Sequence, residues 1–263
     1  MKRFGFILIL FVFGCNSSKK LSNTPTTKDF VINGKIFTSV YQQQAAEYGA
    51  LCLQAYNIAK WQVDNFIHKE KPPAIITDID ETLLDNSAYE VHQTLAGKDF
   101  ELPSWYEWTS KSQADTNPGS LSFFQYASSR GIQIFYITNR EERERTGTLI
   151  NLQKFHFPDA NNDHLIVRQS TSSKEARRQL ISGKFDVVLY LGDNLSDFSS
   201  LFDSKSVEER RMNTDKMSQQ FGNRFIILPN TVYGDWESSM YKYNYKLSAN
   251  QIDSIIRSIL KRY

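Results

Sequence analysis

The segment Ala74-Ile-Ile-Thr-Asp-Ile-Asp-Glu-Thr82 decides the fold of this chain, because a short apolar run ends there in a group of acids. Pro72 and Pro73 precede the run, and Asp78 and Asp80 follow it. A short apolar run bounded by such breaks is typical of a buried β-strand. Carboxylates are unfavourable to gather without a counter-charge, so the pattern indicates a cation site at the end of this strand.

Further apolar runs have the same form, and helix-like stretches separate them. They cover residues 132–138, 164–167, 187–193 and 224–229. Short buried strands alternating with helices predict an α/β fold with a doubly wound, Rossmann-like parallel sheet. Residues 86–118, rich in aromatic and polar side chains, predict a smaller helical cap inserted after the first strand.

Polar residues also end two of the later strands. Thr138, Asn139 and Arg140 follow the second run, while Asp193 ends the fourth and Asp197 lies just beyond it. Ligands of open parallel sheets bind at the carboxyl ends of the strands. These side chains are therefore expected to meet the first acidic segment in one crevice.

The residue types in this crevice favour magnesium and phosphoryl chemistry. Carboxylates are hard oxygen ligands, and no Cys/His set supports zinc, so we expect Mg²⁺. A carboxylate beside a metal and a Lys can attack phosphorus, and a second one nearby can act as general acid and base. Crowding of like charges raises the pKa of one such group, which predicts an acidic pH optimum.

These residues resemble the four motifs of the haloacid dehalogenase superfamily. Residues 78–82 match the motif I pattern Asp-x-Asp-x-Thr of its phosphatases, Thr138 begins motif II, Lys174 is motif III, and Asp193 with Asp197 forms motif IV. Together with residues 229–237 (Pro-Asn-Thr-Val-Tyr-Gly-Asp-Trp-Glu), they are similar to the lipoprotein-type class C bacterial nonspecific acid phosphatases, which carry four characteristic Asp residues.

The resemblance implies roles for individual residues. Asp78 would be the nucleophile and a metal ligand, and Asp80 the acid and base that also binds metal through its backbone carbonyl. Asp193 would complete the metal site. The remaining residues would support the site (Asp197, Thr82), bind phosphate (Thr138, Lys174, with Asn139 and Arg140 less defined) or stack on the substrate (Tyr233 with Trp105, or Trp108 in its place).

The implied activity is an acid phosphatase that hydrolyses phosphomonoesters, nucleoside monophosphates among them, through an aspartyl-phosphate intermediate. Two alternatives share the residue pattern. A phospho-receiver also places acids, a Thr and a Lys around Mg²⁺, and a non-catalytic binding lipoprotein could use the same fold. The intact acid pair and the export signal described next favour the enzyme.

The N-terminus predicts export and lipid anchoring. A basic start precedes an apolar stretch at residues 4–13, which is too short to span a bilayer. Gly14-Cys15 then resembles a lipobox, which predicts a signal peptide at 1–15 and acylation of Cys15, for example by palmitate. We expect a flexible tether at 16–30 and an outer-membrane lipoprotein that faces the periplasm.

The rest of the chain, residues 31–263, is expected to form a single phosphatase domain. It would contain a helical segment at 38–70, a core at 74–85 and 119–230, and a C-terminal tail with a helix at 231–263.

Cys52 falls in an apolar helical stretch and is expected to be a small buried hydrophobe. A formal net charge of +2 predicts no nucleic-acid polymer as partner. The resemblance implies small phosphomonoesters as substrates. The oligomeric state stays open, with a dimer as one possibility.

Overall fold

A five-stranded parallel sheet forms the centre of the computed structural model, which describes residues 28–67 and 69–263. The strands of this part of the chain are β1 (Pro73–Thr77), β2 (Leu84–Asp85), β3 (Asp115–Thr116), β4 (Gln133–Glu141), β5 (Leu165–Arg168), β6 (Asp186–Gly192) and β7 (Phe225–Ile227). The large sheet has the order β5-β4-β1-β6-β7, and its neighbours pair in parallel. Strand β1 lies in the middle, so Asp78 follows the central strand.

Helices cover both faces of the sheet. They are α1 (Lys28–Gln44), α2 (Ala46–Asp64), α3 (Ser87–Leu95), α4 (Leu102–Lys111), α5 (Ser120–Ser129), α6 (Arg145–Lys154), α7 (Glu175–Lys184), α8 (Val207–Lys216), α9 (Asp235–Ser238) and α10 (Ala249–Ile259). Ile75 packs in one apolar cluster with residues of α2 and α5, whereas Ala74 and Ile76 pack in another with Ile181 of α7. This alternation along β1 buries both faces of the sheet and confirms the predicted doubly wound fold.

The inserted segment folds as two helices above the strand ends. Helices α3 and α4 lie between β2 and β3, which pair as a short antiparallel ribbon and so close the neck of the insertion. Helix α1 packs against α3 and also against α10, the last helix of the tail. Helix α1 therefore links the cap to the C-terminal tail.

The N-terminal helices differ from the predicted boundaries. Helix α1 already begins at Lys28, before the predicted start at residue 38 and inside the expected tether at 16–30. Ala45 is extended (φ −82°, ψ 123°) and separates α1 from α2, which ends at Asp64 and not at residue 70. The early start escaped prediction because α1 packs on other helices, so its apolar pattern is weak.

The expected signal peptide, the acylation of Cys15 and the tether up to residue 27 lie outside the described residues. In the parts of the chain that are described, none of the helices is both long and apolar enough to cross a bilayer. Cys52 is fully buried in α2, which confirms its expected role as a small core residue.

Candidate active site

A tight turn after β1 brings the acids of the first motif to the edge of the sheet. The N–H of Asp78 still donates to a carbonyl of β6, at 3.0 Å. Glu81 then adopts φ 54°, a left-handed conformation that is uncommon for residues other than Gly, and the N–H of Leu84 returns to the carbonyl of Ile79 at 3.0 Å. The turn buries Ile79 and leaves Asp78 and Asp80 lining a cleft.

Three carboxylates and one ammonium group meet at the end of β1. The Nζ of Lys174 donates to Asp78 and lies 2.7 Å from Oδ1 of Asp197. Carboxylate oxygens of Asp78, Asp193 and Asp197 lie within 4.8 Å of one another. The structure therefore brings together strand-end residues that are far apart in the sequence.

Burial governs the protonation of this cluster. It raises the pKa of Asp78 to about 7; Lys174 opposes the rise, and the charges of Asp197 and Asp80 reinforce it. Burial also raises the pKa of Asp193 well above its usual range, again with reinforcement from the neighbouring acids. One Lys does not neutralise three carboxylates, so the cluster requires bound protons or a second cation.

The donor set suits a hard divalent cation such as Mg²⁺. The three acidic side chains of the cluster offer oxygen ligands, and neither Cys nor His joins them among the described residues. Lys174 contacts one oxygen each of Asp78 and Asp197, and an amide N–H of Asn230 fixes Oδ2 of Asp193 at 2.7 Å. Asp78 and Asp193 would hold the ion.

The carboxylate of Asp80 turns away from this cluster and towards Arg140. Its Oδ1 accepts from Nη2 of Arg140 at 2.7 Å and from Nε at 3.2 Å, while Oδ2 accepts from Nε at 3.1 Å. Arg140 is buried, and its Nη1 donates to the hydroxyl of Thr148 at 3.0 Å. The guanidinium group is thus fixed by the core and in turn orients Asp80.

Asn86 is buried and connects several residues of the site, although it was not predicted as a site residue. Its side-chain amide donates to Oδ1 of Asp80 at 2.9 Å and to Glu81 at 3.3 Å. Its Oδ1 accepts from the indole N–H of Trp108 at 2.8 Å. Trp108 therefore lies behind the site and supports Asp80 through Asn86.

The end of β4 supplies hydroxyl and amide groups. Thr138 is buried, and its Oγ1 accepts the N–H of Arg140 at 3.1 Å. The carbonyl of Thr138 and Oδ1 of Asn139 accept from Arg177 at 2.6 and 2.7 Å. Arg177 was not predicted as a site residue, although it lies in the first turn of α7, three positions after Lys174 at the N-cap.

Tyr233 and Trp105, the aromatic residues expected to stack on the substrate, both line the cleft that contains the acids. The hydroxyl of Tyr233 donates to the buried carboxylate of Glu81, which links the tail to the first motif. Trp105 packs edge-on against Tyr89, with ring centres 5.1 Å apart, and lies 5.6 Å from the guanidinium carbon of Arg140. The cleft has a volume of about 790 Å³ and reaches from the strand ends to the cap.

Gly192, the last residue of β6, allows Asp197 to approach. A Cβ at this position would lie 2.4 Å from Oδ2 and 2.5 Å from Cβ of Asp197. We expect Gly192→Ala to displace Asp197 and to lower the free energy of unfolding by about 1–3 kcal/mol, measured by chemical denaturation. Gly183→Ala in α7 is the control, because its Cβ would meet nothing within 4 Å. Equal losses for both variants would contradict the expected close contact.

Comparisons with known proteins agree on one family. The family profile for the acid phosphatases of haloacid dehalogenase subfamily IIIB matches residues 19–236. The class C acid phosphatase from Bacillus anthracis has a similar structure, with a TM-score of 0.86, 38% sequence identity, and coverage of 89% of this chain and 99% of that one. A second structure of that enzyme, with tungstate bound, matches equally well.

Two curated plant proteins are more distant relatives. "Acid phosphatase 1" of Solanum lycopersicum is 31% identical over 130 residues, which is 46% of this chain and 50% of that protein. The "Stem 31 kDa glycoprotein" of Glycine max is 28% identical over 180 residues, 65% of each chain. The chain thus spans half to about two thirds of the length of these two relatives.

The parallel sheet, the inserted cap and the strand-end acids define an α/β protein of the haloacid dehalogenase type. Within that class, the chain belongs to the acid phosphatase family of subfamily IIIB.

Proposed function

We propose that this protein is an acid phosphatase that hydrolyses phosphomonoesters with Asp78 as its nucleophile. The observation that carries the proposal is the position of Asp78, at the end of the central strand, paired with Lys174 and facing the cleft. The match of residues 19–236 to the acid phosphatase family supports it independently.

The reaction would proceed in two displacements. An oxygen of Asp78 attacks phosphorus, the bond from phosphorus to the leaving oxygen breaks, and Asp80 gives that oxygen its proton. A water molecule then attacks the aspartyl-phosphate while Asp80 takes a proton from it. The bond from phosphorus to Asp78 breaks, which releases inorganic phosphate and restores both carboxyl groups.

The geometry of Asp80 suits proton transfer through one oxygen. Within the part of the chain that the structure describes, Oδ1 receives hydrogen bonds from both Arg140 and Asn86, whereas Oδ2 receives one, from Nε of Arg140. Oδ2 therefore keeps more capacity to carry and return the proton. Arg140 and Asn86 act on the reaction by orienting Asp80, and not by touching the substrate.

Lys174, Thr138 and Asn139 are the proposed phosphate-binding groups. The ammonium of Lys174 lies beside the nucleophile, where it can neutralise charge that develops on the phosphoryl oxygens. The Thr138 hydroxyl accepts one hydrogen bond from Arg140 and keeps its own proton to donate. Arg177 is not proposed to bind the substrate, because it donates hydrogen bonds to the backbone carbonyl of Thr138 and to Oδ1 of Asn139.

Mg²⁺ is the proposed cofactor, held by Asp78 and Asp193 with the backbone carbonyl of Asp80. When bound, it would neutralise the clustered carboxylates and the phosphate charge. Asp197 would support the site through Lys174, which lies 2.7 Å away, and Thr82 through its hydroxyl, 3.5 Å from Oδ1 of Asp193.

Trp105 and Tyr233 are proposed to hold the leaving group, with nucleoside monophosphates among the substrates. Both line the cleft, and both are fixed by neighbours: Trp105 by Tyr89, and Tyr233 by Glu81. A base stacked on an aromatic side chain gains about 1–3 kcal/mol whichever base it is, which would give broad activity. Trp108 is the weaker candidate because its indole N–H is engaged by Asn86.

The proposed location is the periplasmic face of the bacterial outer membrane, through a lipid on Cys15. The support for this is the N-terminal sequence alone, with a basic start, a short apolar stretch and Gly14-Cys15.

Metal removal tests the proposed function. We expect EDTA to abolish hydrolysis of p-nitrophenyl phosphate and excess Mg²⁺ to restore it.

The effect of Mg²⁺ on stability should depend on pH. The pKa values of Asp78 and Asp193 are raised, so protons compete with the ion for these carboxylates. The rise in melting temperature caused by Mg²⁺ should therefore be larger at pH 8 than at pH 5. The stability of the metal-free protein should change with pH in the opposite direction. Protonated Asp78 contributes stability below about pH 4, and this contribution is lost as the pH rises through about 7. Activity that is indifferent to EDTA would contradict the metal site.

A further inference from the structure

A second group of charged side chains lines the cleft at its cap end. It consists of Glu90 of α3, Asp99 of the loop after α3, and Glu237 of α9, with Lys35 of α1 beside them. We call these four residues the cap acid cluster. They come from four separate elements, and they share the cleft with Asp78.

The charges of the cap acid cluster do not balance. Lys35 forms an ion pair with Asp99, with its Nζ 2.5 Å from Oδ1 of Asp99. Glu90 is only 3% exposed, yet among the described residues its carboxylate has neither a hydrogen bond nor an ion pair within 4 Å. The carboxylate of Glu237, which is half-buried, likewise has neither kind of contact among the described residues, and Lys35 acts on both carboxylates only at longer range. Buried carboxylates are usually paired, so Glu90 is suited to bind a cationic group that enters the cleft.

Aromatic rings border the same end of the cleft. Phe100, Trp105, Tyr241 and Tyr245 line it together with the cap acid cluster. A cation over the face of an aromatic ring is attracted by the ring quadrupole, and such rings with nearby carboxylates are a common way to bind ammonium groups.

We propose that the cap acid cluster binds a positively charged group, an ammonium or a comparable organic cation, on the leaving-group side of the substrate. This inference rests on the proposed phosphatase function and narrows its substrates: phosphomonoesters of cationic alcohols are favoured, and those with an anionic leaving group are disfavoured.

The preference depends on pH through Glu90. Burial raises its pKa to about 7; Lys35 opposes the rise, and Asp99 and Glu237 reinforce it. Burial likewise raises the pKa of Glu237. These acids gain negative charge as the pH rises, so selection for a cation strengthens from pH 5 to pH 8 and weakens in acid.

Three aryl phosphates that differ in one substituent test the proposal: 4-(aminomethyl)phenyl, 4-(hydroxymethyl)phenyl and 4-carboxyphenyl phosphate, which are cationic, neutral and anionic. At pH 8 we expect kcat/KM to fall in that order, with about a tenfold difference between the cationic and the anionic probe. Hydrolysis of all three at equal rates would overturn the cation site and leave the phosphatase intact.

Variants separate charge recognition from the intrinsic reactivity of the probes. Glu90→Gln and Glu237→Gln should each reduce the cationic-to-anionic ratio of kcat/KM, and Glu237→Gln serves if the buried Glu90 variant does not fold. Glu107→Gln, which changes an exposed carboxylate of α4 outside the cleft, should leave the ratio unchanged. An unchanged ratio in both cluster variants would overturn the proposal.

Binding of the same probes to Asp78→Asn, measured by calorimetry, tests the site without turnover. The same order of affinity in this variant supports the cation site even if the unsubstituted protein hydrolyses none of the probes, an outcome that would reject the phosphatase function alone. Equal affinities would overturn the cation site.

Discussion

Asp78→Asn is expected to lower kcat for p-nitrophenyl phosphate at least about 10³-fold, because a neutral amide cannot attack phosphorus. The fold should persist, since Lys174 keeps its ion pair with Asp197 at 2.7 Å and one of three crowded negative charges is removed. Steady-state kinetics together with circular dichroism and thermal melting would separate lost chemistry from lost structure.

Asp163→Asn is the matched control for this variant, because it makes the same change at an exposed carboxylate outside the cleft. Its kcat should equal that of the unsubstituted protein. A kcat for Asp78→Asn within about tenfold of the unsubstituted value would exclude Asp78 as the nucleophile.

Lys174→Gln is expected to lower kcat/KM by about 10²–10³-fold, the usual effect of removing one group that stabilises transition-state charge. Lys174 is buried and is the ammonium group that contacts both Asp78 and Asp197. Its loss also leaves buried carboxylates without their counter-charge, so the melting temperature without metal should fall.

The pH profile of Lys174→Gln should change in a defined direction. Lys174 lowers the pKa of Asp78, against the upward effect of burial. Its removal raises that pKa further, so a smaller fraction of Asp78 is ionised in acid. The acid limb of kcat/KM should therefore move to higher pH. An acid limb that stays in place or moves to lower pH would contradict the contact between these side chains.

Lys184→Gln is the control for Lys174, because it changes an exposed Lys at the other end of α7. It should leave both kcat/KM and its pH profile unchanged. Lys174→Arg keeps the charge but not the compact shape of the ammonium group, and we expect it to retain more activity than Lys174→Gln. Equal activity for the Lys174→Gln and Lys184→Gln variants would remove Lys174 from the site.

The sheet could be predicted because its strands are short apolar runs that end in polar residues. The meeting of the strand-end residues followed from the same pattern, since carboxyl ends of parallel strands share one edge, and Asp78, Thr138 and Asp193 do line up there. The start of α1 could not be predicted, because this helix buries its face against α3 and α10 and not against the sheet.

The partners of the site residues were less predictable than the residues themselves. Asn86 joins Asp80 to Trp108, and Glu81 joins the turn to Tyr233, through contacts that span 22 and 152 positions of the chain. Local patterns carry no information on such pairings. The cap acid cluster was missed for the same reason, since Lys35 and Asp99 are 64 positions apart.

Chemical trapping of the phosphorylated enzyme tests the central claim most directly. Asp80→Asn should still be phosphorylated by p-nitrophenyl phosphate, whose leaving group needs little protonation, but should hydrolyse the intermediate slowly because it lacks the base. After an acid quench, borohydride reduces an aspartyl-phosphate to homoserine, which mass spectrometry locates. We expect homoserine at position 78, only when substrate is present. Substrate-dependent homoserine at another Asp, or an unmodified Asp78 in a protein that has released nitrophenol in a burst, would contradict Asp78 as the nucleophile.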